Sequence, residues 1–167
     1  NNVRTVSAWV KTTQSGLGEV VSYGTGSSGQ AFTFGVWGAN IFVSAWGSPQ
    51  YTVSSAIINN GSWHYMVVSF DGSNATVYVD STSLDTRSFS INTVAGTGFI
   101  GSRIAPTEYF NGTIDEVRIS STARSAGWIA TEYNNQNSPS TFSSFSAQAS
   151  TPLTAANNHT ISAGTVN

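Results

Sequence analysis

The 167-residue chain carries a formal net charge of −2; 8% of its residues are charged and 39% are hydrophobic. This charge excludes a basic nucleic-acid-binding surface. No apolar run approaches the roughly 20 residues of a membrane-spanning helix. The chain has no cysteine and therefore no disulfides. A neutral surface rich in Ser, Thr, Asn and Gly is typical of secreted or cell-surface proteins, so we expect a mature or excised part of such a protein.

Hydrophobic and polar residues alternate along most of the chain, in short runs rich in β-branched and aromatic residues. This period of two is typical of half-buried β-strands, and Gly, Ser, Asn and Asp separate the runs at intervals of roughly 8–12 residues. We therefore predict an all-β fold, a two-sheet antiparallel sandwich. The predicted strands are 6–10, 32–36, 41–43, 65–70, 75–79, 98–101 and 113–120.

Two local signals add detail to this prediction. The tetrapeptide Asp71-Gly72-Ser73-Asn74 contains residues that tolerate the positive φ of a tight turn, so residues 63–70 and 75–80 should pair as a hairpin. Ser125 is a favourable N-cap residue, and it predicts one short helix over residues 124–134.

Four segments follow one another in a characteristic order: TVSAWVK at 5–11, GSWHYMVVSFDG at 61–72, FNGTIDEVRI at 110–119, and a short helical stretch at 121–136. Together they resemble the laminin-G-like, or concanavalin A-like, jelly-roll domain of prokaryotic surface proteins. The resemblance implies a jelly roll of two antiparallel sheets, one of them concave. We therefore assign residues 1–141 to a laminin-G-like domain and residues 142–167 to a C-terminal tail.

The tail is rich in Ser, Ala and Thr and ends in a β-prone run at 160–166. Members of the family usually open with a strand ahead of the segment at 5–11, whereas this chain begins almost at that segment. A sandwich without that strand would expose unpaired backbone groups. The tail is therefore expected to be a linker or an extra strand, either in its own sheet or, as a donor strand, in a neighbour's.

Aromatic residues near two loops are the candidates for ligand binding. Sugar rings stack their CH faces on aromatic side chains, while neighbouring polar groups recognise the hydroxyls. The alternative for each Trp is burial in the core, which we expect for Trp9 and Trp63. The candidate ligand-binding residues are Trp37, Trp46, Tyr51, Arg103, Glu108 and Tyr109.

Asp115 is the candidate metal ligand, because in the family a carboxylate at this position often helps to hold Ca²⁺. Calcium takes six to eight oxygens, so one Asp cannot form the site alone. The alternative is a structural hydrogen bond of Asp115.

The acidic residues do not predict an enzyme. As neighbours on a strand, Asp115 and Glu116 should point to opposite faces. No acidic residues have the spacing of a glycosidase pair, so we expect no enzyme. His64 and His159 have no partner for a zinc site.

Glycosylation sequons begin at Asn60, Asn74, Asn111 and Asn158.

Two functions remain open. The first is a non-catalytic extracellular carbohydrate-binding or adhesion module, whose partner is a glycan or another surface protein. The second is a structural subunit of an extracellular filament, a homo-oligomer that assembles by strand exchange through the tail.

Overall fold

The computed structural model describes residues 2–54 and 57–143, and within them it forms two antiparallel sheets of five strands. Sheet one has the order β10-β1-β6-β7-β8, and sheet two has the order β5-β4-β3-β2-β9. The predicted all-β jelly-roll sandwich is confirmed. The elements are β1 (Arg4–Thr12), β2 (Leu17–Gly24), β3 (Ala31–Trp37), β4 (Asn40–Ser44), β5 (Gln50–Val53), β6 (Trp63–Phe70), β7 (Asn74–Val79), β8 (Thr82–Ser88), β9 (Gly98–Ile100), β10 (Gly112–Ser120), α1 (Ala126–Asn137) and α2 (Pro139–Phe142).

The core lies between the two sheets and contains the hydrophobic residue of each alternating pair. On β1 it takes every second residue from Val6 to Val10, and on β3 every second residue from Phe32 to Val36. Because successive side chains on a strand point to opposite faces, the polar residues between them face outward. The strand segments predicted from this alternation are therefore confirmed.

Strands β2, β5 and β8 were not predicted, and β2 shows why. Its pairing with β3 shifts between Glu19 and Val21, and this bulge lets both Val20 and Val21 enter the core. A bulge interrupts the period of two, so the alternation that marks the other strands is absent here.

The hairpin predicted at Asp71–Asn74 is present, since β6 and β7 pair antiparallel on either side of it. Asp71 Oδ1 accepts hydrogen bonds from the backbone N–H groups of Ser73 at 2.8 Å and Asn74 at 2.7 Å. Such local bonds from Asp to its own backbone close tight turns.

The predicted helix is also present, and it covers the outer face of sheet one. Ser125 caps α1, because its Oγ accepts the N–H of Trp128 at 3.3 Å. The buried side chain of Ile129 packs with Tyr65 and Val67 of β6. The outer face of sheet two has no such helix among residues 2–54 and 57–143 and is left open.

Two expected core residues behave differently from the prediction. Trp9 is half-buried beneath α1, where its ring stacks on Tyr133 with 5.7 Å between ring centroids. Trp63 is 41% exposed, so its predicted burial is wrong. Trp63 is the first residue of β6, and odd-numbered residues of that strand face outward, towards α1, and not into the core.

No helix in the described part of the chain is long and apolar enough to cross a membrane. The tail from residue 144 onward, with the run at 160–166, Asn158 and His159, lies outside the described residues.

Candidate functional site

A pocket of about 220 Å³ opens on the outer face of sheet two, and we call it the open-face pocket. Strands β2 to β5 supply its floor, the loop after β4 supplies Trp46, and the loop between β9 and β10 supplies Arg103 and Glu108. Its lining residues are Leu17, Glu19, Thr33, Trp37, Phe42, Ser44, Trp46, Gln50, Arg103 and Glu108.

Two indole rings form the aromatic part of the open-face pocket. Trp37 is 50% exposed and meets Phe42 edge-on, with 6.3 Å between ring centroids. Trp46 is half-buried, and the Arg103 guanidinium carbon lies 4.0 Å from its ring centroid. A guanidinium at this distance is held by a cation–π interaction, so the second indole is fixed in place. The pocket thus offers one open aromatic surface beside one that is already stacked.

The polar part of the pocket contains two carboxyl groups and one guanidinium. Arg103 Nη1 donates to Glu108 Oε1 at 2.8 Å, while Arg103 Nε is buried without an acceptor in the described structure. Glu19 is 2% exposed, and its Oε2 has no partner there either. Buried polar atoms nearly always have a hydrogen-bond partner, so we expect an ordered water or a ligand to supply one to each of these two atoms.

Glu19 is protonated at neutral pH. Burial is the largest cause that raises its pKa to about 8, and the negative charge of Glu108 adds to it, while Arg103 acts in the opposite direction. A protonated carboxyl can both donate and accept a hydrogen bond. Sequence analysis missed Glu19; its only signal was an isolated acid in the otherwise uncharged segment that forms β2.

The open-face pocket brings together four of the candidate ligand-binding residues, Trp37, Trp46, Arg103 and Glu108, although they come from separate loops and strands. Tyr51 does not join them. It pairs with Val43, which faces the core, so its ring packs against Phe89 with 6.0 Å between ring centroids.

Tyr109 also lies outside the open-face pocket, although it is adjacent in sequence to Glu108. Its ring is 63% exposed, and its hydroxyl donates to the carbonyl of Pro106 at 3.0 Å. The residue of β5 that does reach the pocket is Gln50, which pairs with the outward-facing Ser44.

The candidate metal ligand lies on the other sheet. The pairing of β1 with β10 shifts between Ser7 and Trp9, and Glu116 has a φ of 50°, as expected for a β-bulge. Contrary to the prediction that they point to opposite faces, Asp115 and Glu116 line the same depression.

Asp115 Oδ1 accepts the backbone N–H of Glu116 at 2.8 Å, and Arg118 Nη2 binds the Glu116 carboxylate at 2.6 Å. No group of three acidic, His or Cys side chains able to hold a metal is present in the described residues. Calcium binding by Asp115 therefore stays a prediction that rests on the resemblance.

Three sequons lie in loops or turns between strands. Asn60 and Asn111 are exposed, and Asn74 lies at the start of β7, beside the hairpin turn. Glycosylation at all four sequons stays a prediction.

Comparison with known proteins gives one family and several structural neighbours. The sequence profile described as the concanavalin A-like lectin/glucanases superfamily matches residues 1–130, whereas a search of curated proteins gives no match. Domain 4 of AbnA, an extracellular GH43 arabinanase from Geobacillus stearothermophilus in complex with arabinotriose, is similar at a TM-score of 0.61 and 20% identity, over 77% of this chain and 65% of that chain.

Two other structures are similar at lower identity. One is the native heptameric SAP-like pentraxin from Limulus polyphemus, with a TM-score of 0.61 and 17% identity over 79% of this chain and 70% of that chain. The other is the binding domain of botulinum neurotoxin DC in complex with rat synaptotagmin II, with a TM-score of 0.58 and 13% identity over 80% of this chain and 36% of that chain. These likenesses concern the fold, while the profile match covers most of the sequence. The chain therefore belongs to the concanavalin A-like lectin/glucanase superfamily.

Proposed function

We propose that this chain is a non-catalytic carbohydrate-binding or adhesion module of a secreted or cell-surface protein, and that it binds saccharide in the open-face pocket. The observation that carries the proposal is an exposed indole, Trp37, beside two buried polar atoms that have no partner among the described residues, Glu19 Oε2 and Arg103 Nε. A saccharide has apolar CH faces for the ring and hydroxyls that both donate and accept. Few other neutral ligands match both requirements.

The comparisons support this ligand class. Domain 4 of the arabinanase, which has a similar fold, was solved with arabinotriose. Family membership points the same way, since the superfamily is named for lectins and glucanases. Because the fold hosts both binding and hydrolysis, the choice between them must come from the site itself.

The carboxyl groups of the open-face pocket favour binding over hydrolysis. Glycosidases place two carboxyl groups roughly 5–9.5 Å apart so that the scissile bond lies between them. In this pocket Glu108 is held by Arg103 at 2.8 Å, and its negative charge helps to raise the pKa of the buried Glu19. One carboxyl that is protonated and one that is held in an ion pair are suited to recognise hydroxyls.

Calorimetric titration with a panel of arabinotriose, cellotriose, mannotriose and sialyllactose tests the proposal. Trp37→Ala should weaken the binding of the best ligand by roughly tenfold, the loss of about 1.4 kcal/mol, because it removes the stacking surface. Trp128→Ala is the matched control, since Trp128 is 38% exposed but lies on α1, away from the pocket. If wild type binds none of these, or if Trp37→Ala binds as wild type does, the proposal fails.

A second candidate function, self-assembly, is favoured by a different feature. An apolar groove runs along the side of the sandwich where β9 and β10 form the sheet edges, and there Ile100 is 63% and Ile119 58% exposed. Strand β9 has no strand partner on its outer side among the described residues. The groove is lined by Val21, Ser22, Tyr23, Gly98, Phe99, Ile100, Val117 and Ile119.

The occupant that we propose for this groove is the tail of a neighbouring subunit. Residues 144–167 contain no Asp, Glu, Lys or Arg, and the run at 160–166 has strand character. An extended segment paired to β9 would satisfy its outer backbone groups and cover the exposed isoleucines. Deletion of residues 144–167 separates the two functions, because a saccharide-binding module keeps its ligand while a filament subunit loses assembly.

A further inference from the structure

A second, larger depression lies on the opposite side of the sandwich, next to the end of α1. Its volume is about 490 Å³, and we call it the helix-side pocket. We propose that it is a second saccharide-binding site, separate from the open-face pocket. The choice of saccharide as the ligand class rests on the proposed function, whereas the location of the site does not. The lining residues are Trp9, Trp63, Asp115, Glu116, Arg118, Asn135, Gln136, Asn137 and Pro139.

Local structure brings these residues together from distant parts of the chain. The bulge in β10 turns Asp115 and Glu116 to the same side of sheet one. The last turn of α1 then adds three consecutive amide side chains, residues 135–137. Because sheet one continues beyond the end of the helix, Trp63 at the start of β6 stays uncovered.

The aromatic surface of the helix-side pocket is rigid on one side and open on the other. Trp9 is fixed by stacking on Tyr133, and its indole N–H donates to Gln136 Oε1. Trp63 has no such partner in the described structure and is 41% exposed. Trp63 therefore supplies the surface on which a sugar ring can stack, and the fixed Trp9 lines the pocket beside it.

The polar groups beside this surface include both donors and acceptors without partners. Gln136 Nε2 is a buried donor with no acceptor in the described residues, because Trp9 occupies only the oxygen of that amide. Asp115 Oδ2 accepts no hydrogen bond there, since the Glu116 N–H binds Oδ1. A saccharide hydroxyl can accept a hydrogen bond from Gln136 Nε2, and another hydroxyl can donate one to Asp115 Oδ2.

A cationic ligand fits this pocket less well than a neutral one. Arg118 already binds the carboxylates of Glu116 and Glu132, so Asp115 is the acidic group left without a counterion in the lining. The buried Gln136 Nε2 is a donor, and a cation offers it no acceptor. A neutral saccharide matches an open indole that lies beside one donor and one acceptor without partners among the described residues.

Two saccharide sites on opposite faces would make a single domain bivalent. One copy could then bridge two glycan chains or two parts of one chain, and the second contact would gain from the high effective concentration that the first creates. This property suits an adhesion module and would not follow from the open-face pocket alone.

The test uses the full chain labelled with ¹⁵N, whose Trp indole N–H signals report each site separately. Arabinotriose, cellotriose and mannotriose are titrated into wild type, Trp37→Ala, Trp63→Ala, Asp115→Ala and the control Trp128→Ala. We expect the Trp63 and Trp9 signals to shift in the Trp37→Ala chain. Trp63→Ala or Asp115→Ala should weaken that binding by roughly tenfold, about 1.4 kcal/mol, whereas Trp128→Ala should leave it unchanged.

The outcomes distinguish the two sites. If Trp37→Ala abolishes all binding, the helix-side pocket does not bind these sugars, while the open-face site stands. If Trp63→Ala abolishes all binding and Trp37→Ala has no effect, the helix-side pocket is the binding site and the open-face proposal fails. If no sugar shifts any indole signal, both proposals fail. Asp115 is exposed, so Asp115→Ala keeps the inference testable should Trp63→Ala disturb β6.

Discussion

The titration of Glu19 should have a measurable effect on the pH dependence of stability. Its pKa is raised from 4.5 to about 8 in the folded chain, so between these pH values the folded state holds a proton that the unfolded state has released. The contribution of Glu19 to stability should therefore be greatest below about pH 4.5 and should be lost as pH rises towards 8. Glu19→Gln removes the titration and should be more stable than wild type at pH 9, by at most about 5 kcal/mol at about 1.4 kcal/mol per pKa unit.

Urea unfolding of both proteins at pH 4, 6 and 9 measures this difference. The variant and the wild type should have similar stability at pH 4, because the wild-type carboxyl is then protonated in the folded state. Parallel pH profiles for the two proteins would show that Glu19 titrates normally. Glu108→Gln is a useful companion, because removal of its charge should lower the pKa of Glu19.

The sequence allowed prediction of the aromatic and charged residues of the open-face pocket that lie near loops, but not of the buried Glu19. Trp37, Trp46, Arg103 and Glu108 stand beside turn residues, which marks them as near loops. Glu19 becomes buried because the loop that carries Glu108 folds over β2, where the Glu19 N–H donates to the Glu108 carbonyl at 3.0 Å. A contact between residues so far apart in the chain leaves no local pattern.

Helix α1 shows how much an element depends on the sheet beneath it. Ile129 is fully buried against Tyr65, Val67 and Tyr78, and deletion of such a side chain leaves a cavity. Ile129→Ala should destabilise the chain by about 2–4 kcal/mol, measured by urea unfolding. Ile57→Ala is the matched control, because Ile57 is 69% exposed and its truncation should cost less than about 0.5 kcal/mol. Equal effects of the two changes would mean that α1 does not pack as described.

Elements with a strong local signal were predictable, and elements shaped by their neighbours were not. The hairpin at Asp71 and the cap at Ser125 follow from side chains that bond to nearby backbone groups. The bulges in β2 and β10 are set by the strands that they pair with, and so is the face on which Tyr51 points. The register of each strand therefore depends on its partner strand and could not be predicted from the local sequence.

At the scale of the whole molecule, the sandwich has three unlike surfaces. The open face of sheet two and the end of α1 each carry aromatic and polar groups suited to a saccharide. The side between β9 and β10 is apolar, and β9 has no strand partner on its outer side among the described residues. Natural proteins usually protect such a strand edge with charge. Strand β9 consists of Gly98, Phe99 and Ile100 and therefore carries no charged side chain.

If the tail of one copy fills this groove in the next, charge placed in the groove should prevent assembly. The double variant Ile100→Lys and Ile119→Lys should then behave as a monomer of 17.6 kDa in light scattering, while wild type forms oligomers that deletion of residues 144–167 also abolishes. Ile57→Lys is the matched control, since Ile57 is exposed and is not part of the groove. Saccharide binding per chain should be the same in all four proteins, because neither pocket includes the groove isoleucines. A wild type that stays monomeric at high concentration would contradict self-assembly through this groove and leave saccharide binding as the function that the two faces support.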